Sequence, residues 1–517
     1  MIACIVELRG VRGKGESVEG LFMKCVGARF HIWKCMAPDN SALLEHRLQV
    51  QADTGVFGRF AQDHVGQATV NRQIAAPKAL LDRDFRPNQR FPARHRSCNA
   101  PGKPFARERC MSVLPVSADY PIHTPHADLI RDEAQAIAVA HQVAAVLLEQ
   151  DAERDRSRQV PAEVVDLYSN SGLWGISVPR EFGGAQVSYA VLAQVIAIIS
   201  AADPSLGQIP QNHYCLLEDI RLQGTPEQQA HFFGLALQGH RFANALSETG
   251  GKNVQDIQAS VRRVGDGYVI NGRKGYCTGS LYAHWLAVLA LDEQQNAQLA
   301  FVPRGTEGLV VVDDWDSMGQ RTTSSGTVLA QNLRVPPFNL FPTHKSYDSP
   351  TLAGPFAQLT TAAIDAGIAR AALRDTVQFV QQFARPWIDA GVEKASEDPL
   401  TIIQVGALDI RLEAAEALLE RAGLALDAAR PAPNEDNVAH ASLAVARAKV
   451  LTTEIAIEAS NKLFELGGTR STLKKHNFDR HWRNARVHTL HDPVRWKYHV
   501  VGNWLLNGTK PPRHDWS

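Results

Sequence analysis

Apolar residues recur at helical spacing over 127–153, where Leu129, Ile130, Ala134, Ile137, Ala138, Val143, Val146 and Leu147 share one side. The same period covers 161–171 and 189–202. Pro204 and the Pro-Gln pair at 210–211 interrupt it, and a further helix is predicted near 213–223. Residues 127 to about 241 therefore read as an all-helical unit. The period then drops to two. Segments 257–264, 267–271, 285–291, 298–303, 308–313 and 327–335 predict strands, with turns at Gly265-Asp266 and Asn271-Gly272. Helical spacing returns over 359–392, 399–429 and 437–466, with a shorter stretch at 493–506. Long helices joined by short loops predict a bundle. The predicted fold class is α+β: a helical domain over 125–241, a β-barrel or sandwich over 242–345, and a four-helix bundle over 350–517.

Residues 1–110 break this pattern. They have weak periodicity and are interrupted by Arg- and Pro-containing stretches such as DRDFRPNQRFPARHR at 82–96. Charge divides at the same place. The first 110 residues hold 18 Lys and Arg against 10 Asp and Glu, and the remaining 407 hold 36 against 44, although the whole chain is formally neutral. Five of the seven cysteines, Cys4, Cys25, Cys35, Cys98 and Cys110, also lie here. The segment is expected to be a basic, disordered extension or the product of an upstream start, with Met111 as the natural one. A nucleic-acid arm would suit the charge, but no nucleic-acid motif supports it, and no nucleic-acid partner is expected. The apolar start MIACIV is too short for a secretory signal.

Composition narrows the rest. At 44% hydrophobic and 21% charged, the chain is an ordinary globular one. No apolar run approaches the roughly 20 residues of a membrane span, so no membrane role is expected. Two cysteines after residue 110, Cys215 and Cys277, and no CxxC pair suit a reducing cytoplasm and exclude a zinc ribbon or a thioredoxin-like motif.

The order helical unit, β unit, helical bundle is that of the acyl-CoA dehydrogenase fold, and four segments carry the resemblance. GLWGISVPREFGGA at 172–185 resembles that family's first-domain signature. ANALSETGG at 243–251 resembles its flavin-contact segment. DGYVINGRKGYCTGSLYAHWLAV at 266–288 resembles the hairpin that meets the isoalloxazine, and MGQRTTSSGTVLAQNLRVP at 318–336 its last β segment. Many dehydrogenases carry a catalytic glutamate near the C-terminus. Here that stretch reads NARVHTLHDPVRWKYH (484–499), whose HxxHDP form resembles the flavin monooxygenase branch. That branch includes the dibenzothiophene desulfurisation monooxygenase and the SfnB-type sulfur acquisition oxidoreductases. IPQNHY, DDWDSMGQR and FARPW point the same way.

The resemblance implies a soluble, reduced-FMN-dependent monooxygenase. Oxygen would pass from a flavin C4a-hydroperoxide to a small organosulfur compound. With no strand-to-helix GxGxxG, reduced flavin is expected from a separate reductase. A homotetramer, built as a dimer of dimers, is implied as well. Alternatives are an FAD enzyme oxidising an acyl thioester, an aromatic hydroxylase on the same scaffold, and a scaffold that has lost its flavin.

The candidate chemistry centres on His488, His491 and Asp492. Spaced i, i+3 and i+4, they would share one face of a helical turn, with His491 as acid/base and the other two orienting it. The plainer reading of Asp492 is a helix cap followed by Pro493 at the first helical position. A metal site is set aside for want of a fuller ligand set. His213 is a candidate donor or a satisfied structural histidine. Asn244, Ser247, Thr278 and Ser280 are expected to contact flavin and oxygen, although such residues are also ordinary in turns. Tyr276 and Trp315 are expected to pack against ring or substrate. Arg385 and Arg470 are expected to bind the FMN phosphate, where a guanidinium fork suits a dianion.

Overall fold

The computed structural model describes residues 23–26, 29–32, 117–514 and 516. The chain divides into two units, Met1–Ala106 and Arg107–Ser517. In the first, strands β1 (Met23–Val26) and β2 (Arg29–Ile32) form an antiparallel hairpin, with Met23 opposite Ile32. The expectations for residues 1–110, including the Met111 start, otherwise lie outside the described residues.

The second unit begins with helices α1 (Glu133–Leu148), α2 (Asp151–Ser157), α3 (Ala162–Asn170), α4 (Tyr189–Ala202), α5 (Pro204–Gln223) and α6 (Pro226–Leu237). Their starts are specified locally. Ser188 accepts the Val191 N–H, and Asp203 accepts those of Ser205 and Leu206 with Pro204 at the first helical position. Thr225 and Gln228 make a capping box ahead of α6. The structure corrects the expected break at Pro204 and Pro210: α5 is a single helix that starts at Pro204 and runs through Pro210.

Strands β3 (Phe242–Ala245), β4 (Ser260–Val264), β5 (Gly267–Lys274), β6 (Trp285–Leu291), β7 (Ala297–Pro303), β8 (Leu309–Val312), β9 (Thr327–Val335) and β10 (Leu340–Phe341) form one sheet in the order β10-β7-β6-β4-β5-β9-β8, with β3 parallel to β6. The expected turn at Asn271-Gly272 is instead a register irregularity inside β5. A Cβ on Gly272 would come within 2.4 Å of the Ala259 Cβ, so only glycine lets the strand pass there.

The C-terminal helices are α7 (Ala353–Gln382), α8 (Pro399–Ala429), α9 (Glu435–Gly467), α10 (Asp479–His488) and α11 (Arg495–Asn507). The first three pack on one another, α4 packs against α7 and α8, and α10 and α11 lie on α9. One apolar core runs from Ile130 to Ala485 through both helical regions, and two further clusters pack within the sheet and between it and α5–α6. The helical period of α10 escaped notice in the sequence because this helix is short and rich in Arg, His and Asn. The structure also overturns the capping role of Asp492: α11 starts at Arg495, its N-cap position is Val494, and no side chain caps it.

Candidate active site

Helix α5 carries two polar side chains one turn apart, each of which reaches another element. Gln208 Nε2 lies 3.0 Å from His491 Nε2, beyond the end of α10. Asn212 Oδ1 accepts from Asn244 Nδ2 of β3 at 2.9 Å. Four residues of helix rise about 6 Å, so α5 brings His491 and Asn244 to neighbouring positions.

The two histidines face each other across the turn that follows α10, with ring centroids 4.9 Å apart. His491 Nδ1 is 2.7 Å from the His488 carbonyl. A carbonyl can only accept, so Nδ1 carries the proton and Nε2 takes the Gln208 amide N–H. His491 is exposed to solvent as a residue, although protein atoms lie densely around its ring. That desolvation, followed by neighbouring His488, brings its pKa down to about 4. His491 is therefore neutral at pH 7.

Beneath this pair lies a buried charged group. His488 Nδ1 is 2.5 Å from Asp365 Oδ1 of α7. Thr453 of α9 donates to Asp365 Oδ2 at 3.0 Å. Lys449 Nζ, one turn earlier on α9, stands 3.6 Å from Asp365 Oδ2 and 3.9 Å from Asp492 Oδ1. Lys497 Nζ of α11 lies 3.7 Å from Asp492 Oδ2. Burial alone would raise the Asp365 pKa, but Lys449 and then His488 and Thr453 pull it below the ordinary value. Burial brings Lys497 down to about 8 against the pull of Asp492.

A hydroxyl group cluster borders the same region. Thr278 Oγ1 is 2.8 Å from Ser325 Oγ, which is 2.8 Å from Thr323 Oγ1. Ser280 donates to the Ser324 carbonyl at 3.2 Å. Between Thr278 and Ser280 sits Gly279, at φ +79°, where a Cβ would meet Ile209 at 3.1 Å and Ala243 at 3.6 Å. Those neighbours adjoin Gln208 and Asn244, so this turn sits against the same junction. Tyr276, Gln320 and Ser324 all hold positive φ without being glycine. Such strain gathers where surrounding contacts override local preference. Gln320 N–H donates to Asn484 Oδ1 of α10 at 2.7 Å, one turn before His488, and its buried side-chain amide has no partner among the described residues. Trp315 Nε1 donates to the Gln320 carbonyl at 2.8 Å, and the exposed Tyr276 ring lies edge-on to Trp315.

Three sequence-derived candidates fall elsewhere, and for a fourth, Ser247, the structure shows only a backbone contact. His213 is a correction: it is fully buried, its Nδ1 accepts the Phe242 N–H at 3.1 Å, and its Nε2 lies 2.9 Å from the Trp174 carbonyl. Both nitrogens are used by the backbone, and burial takes its pKa to about 3; it ties α5 to Trp174 and to the start of β3. Ser247 offers its carbonyl to the Gly275 N–H at 2.9 Å. Arg385 and Arg470 are exposed, and Arg470 donates to the Phe383 carbonyl at 3.1 Å. From Asp365 to the end of α7 is 17 residues, about 25 Å, so both arginines lie far from the histidines within this chain.

Sequence reasoning missed Gln208, Asn212, Asp365 and Lys449. A signal was present for two of them: Asp365 and Lys449 interrupt apolar, Ala-rich helical stretches, and a charge on a buried face has to be paired.

Models of the acyl-CoA dehydrogenase N-terminal, middle and C-terminal domains match residues 124–240, 243–333 and 359–496. The chain is 34% identical over 396 residues to a dibenzothiophene monooxygenase of Rhodococcus qingshengii, covering 72% of this chain and 94% of that one. It is 31% identical over 404 residues to SfnC of Pseudomonas putida, named a probable FMNH2-dependent monooxygenase, covering 76% and 98%. Its structure is similar to FMN-bound TdsC from Paenibacillus sp. A11-2, with a TM-score of 0.71, 32% identity, and coverage of 74% and 100%. The chain belongs to the acyl-CoA dehydrogenase family and, within it, to the branch of flavin-dependent monooxygenases.

Proposed function

We propose that this protein uses reduced FMN and O2 to place one oxygen atom on the sulfur of a small organosulfur compound, releasing the other as water. One observation carries the reading. Gln208 Oε1, Asn244 Oδ1 and His488 Nε2 are buried and lack hydrogen-bond partners among the described residues. A buried polar atom left unpaired costs about 1–3 kcal/mol, so three of them beside one junction suit a ligand with a polar edge. The isoalloxazine of a flavin has such an edge, and these residues fit it.

When bound, reduced FMN supplies the two electrons that divide O2. The chain supplies the rest. Gln208 and Asn244 orient the ring edge and the substrate. His491, neutral at pH 7, offers Nε2 to take up and return a proton once the Gln208 amide yields. Thr278, held by Ser325, lends a hydroxyl beside them. Ser280, Ser247, Tyr276 and Trp315 border the ring or substrate, and Arg385 and Arg470 serve the phosphate of a neighbouring subunit's flavin. A thioester oxidation finds less support: Asp492, the carboxylate next to His491, is engaged at ion-pair distance by Lys449 and Lys497.

A separate reductase delivers the reduced flavin. The exposed apolar side chains of α8 and α11, among them Ile402, Ile403, Ile410, Leu505 and Leu506, support assembly into a homotetramer. Among the described residues no helix is long and apolar enough to cross a membrane, and the sparse cysteines after residue 110 support a cytoplasmic place.

Anaerobic titration with reduced FMN, followed by mixing with 18O2 and a panel of sulfides, sulfones and sulfinates, tests this reading. The expected result is flavin reoxidation slower than in free solution and a product carrying one 18O. Reoxidation at the free rate with no labelled product would overturn it, and FAD with acyl thioesters would then be tried.

A further inference from the structure

His488 is the last residue of α10, and its buried ring meets Asp365 of α7. Its Nδ1 faces Asp365 Oδ1 at 2.5 Å, and its Nε2 is buried with no partner among the described residues. Asp365 is fully buried, and each of its oxygens has a defined neighbour. Oδ1 takes His488, while Oδ2 takes the Thr453 hydroxyl at 3.0 Å and lies 3.6 Å from Lys449 Nζ. Lys449 and Thr453 are four residues apart and so share one face of α9. Lys449 Nζ makes no hydrogen bond among the described residues; its surroundings are the carboxylates of Asp365 and Asp492.

The placement has a consequence for the imidazole. A carboxylate accepts and never donates, so the Asp365 contact puts a proton on His488 Nδ1, and in the neutral ring the lone pair then falls on Nε2. In water the neutral ring favours neither site strongly. Here the charge of Asp365 decides, and Lys449 makes a buried carboxylate tolerable at that point. His491 cannot play the same part while its Nε2 is covered by the Gln208 amide.

We propose that Asp365, paired with Lys449, is a positioning residue that locks His488 in one tautomer and presents its bare Nε2 to the reaction space. That His488 faces the reaction rests on the monooxygenase reading; the tautomer does not, and the two are tested separately.

The first test uses the full chain without flavin, with histidines labelled by 15N, and reads two-bond nitrogen–proton correlations at pH 7.5. The His488 signal is identified by its loss in His488→Gln. The expected pattern is a protonated Nδ1 and an unprotonated Nε2. A ring protonated at Nε2, or at both nitrogens, would overturn the proposal whatever the enzyme does. The second test uses the charge-balanced variant Asp365→Asn with Lys449→Met, which avoids stranding a lone buried charge. His488 should move toward a tautomer mixture, and kcat should fall about 100-fold with KM within threefold. A variant that loses the tautomer while keeping kcat within twofold would show that the lock does not serve turnover. If the wild type shows the expected tautomer but no monooxygenation, the placement stands and the functional reading falls.

Discussion

His488 and Asp365 stand 123 residues apart in sequence, yet Nδ1 of one lies 2.5 Å from Oδ1 of the other, with neither accessible to solvent. The contact joins the end of α10 to the middle of α7. It depends on Lys449, because a carboxylate buried alone would be neutralised by protonation. The site histidines therefore rest on an ionic layer that has to remain balanced.

Removing the balancing cation should be costly. Lys449→Met leaves Asp365 and Asp492 as buried carboxylates with one ammonium fewer between them. The expected loss is about 3–5 kcal/mol of unfolding free energy. Urea denaturation of the two proteins measures it, and adding Asp492→Asn should restore part of the loss. A midpoint unchanged by Lys449→Met would contradict the balance described.

Gln208→Leu keeps the side-chain bulk and deletes the amide that meets His491. One hydrogen bond is worth about 1 kcal/mol, so stability should barely move. Turnover should fall about tenfold or more as the imidazole loses its fixed orientation. Steady-state kinetics beside thermal melting separates the two effects.

Acid should weaken the fold through histidines buried in neutral form. His213 and His284 are each held at about 3, chiefly by burial. Their folded values lie below the unfolded one of about 6.5, so the unfolded chain binds more protons as pH falls. Stability is full above pH 6.5 and is lost progressively toward pH 3. Between pH 7 and pH 5 the expected loss is about 2 kcal/mol for each of these two residues, read from denaturant midpoints. His491, at about 4, should for the same reason add no limb near pH 6.5 to the rate profile; a limb from it belongs near pH 4.

Gly423 of α8 crosses α4 closely: a Cβ there would lie 2.4 Å from the Ala190 Cα. Four residues on, Asp427 accepts the Tyr189 and Ala190 N–H groups at 2.7 and 3.2 Å, so this crossing also satisfies the start of α4. Gly423→Ala should push the helices apart and cost about 1–3 kcal/mol, despite alanine's better helix propensity. A more stable variant by calorimetry would show that the crossing can relax.

Periodicity alone determined much of this protein. The bounds of α4, α8, β6 and β9 follow from runs whose spacing or flanking caps leave little choice, such as Asp398-Pro399 ahead of α8. The closeness of His488, His491 and Asp492 was legible too, because they are near in sequence and chemically conspicuous, but the expected shared helical face was not: α10 ends at His488, and His491 and Asp492 lie beyond it. Tertiary structure decided the rest. Pro210 continues α5, although a local rule would end the helix there. Asp492 turns to Lys449 and Lys497 instead of capping α11, because two buried cations outweigh one helix end. His213 resembles a site residue in sequence and is held in the core by two backbone groups. Gln208, Asp365 and Lys449 gain their meaning only when α5, α7 and α9 converge, since a hydrogen bond or ion pair depends on distance in space and leaves no trace in the spacing of residues along any one helix.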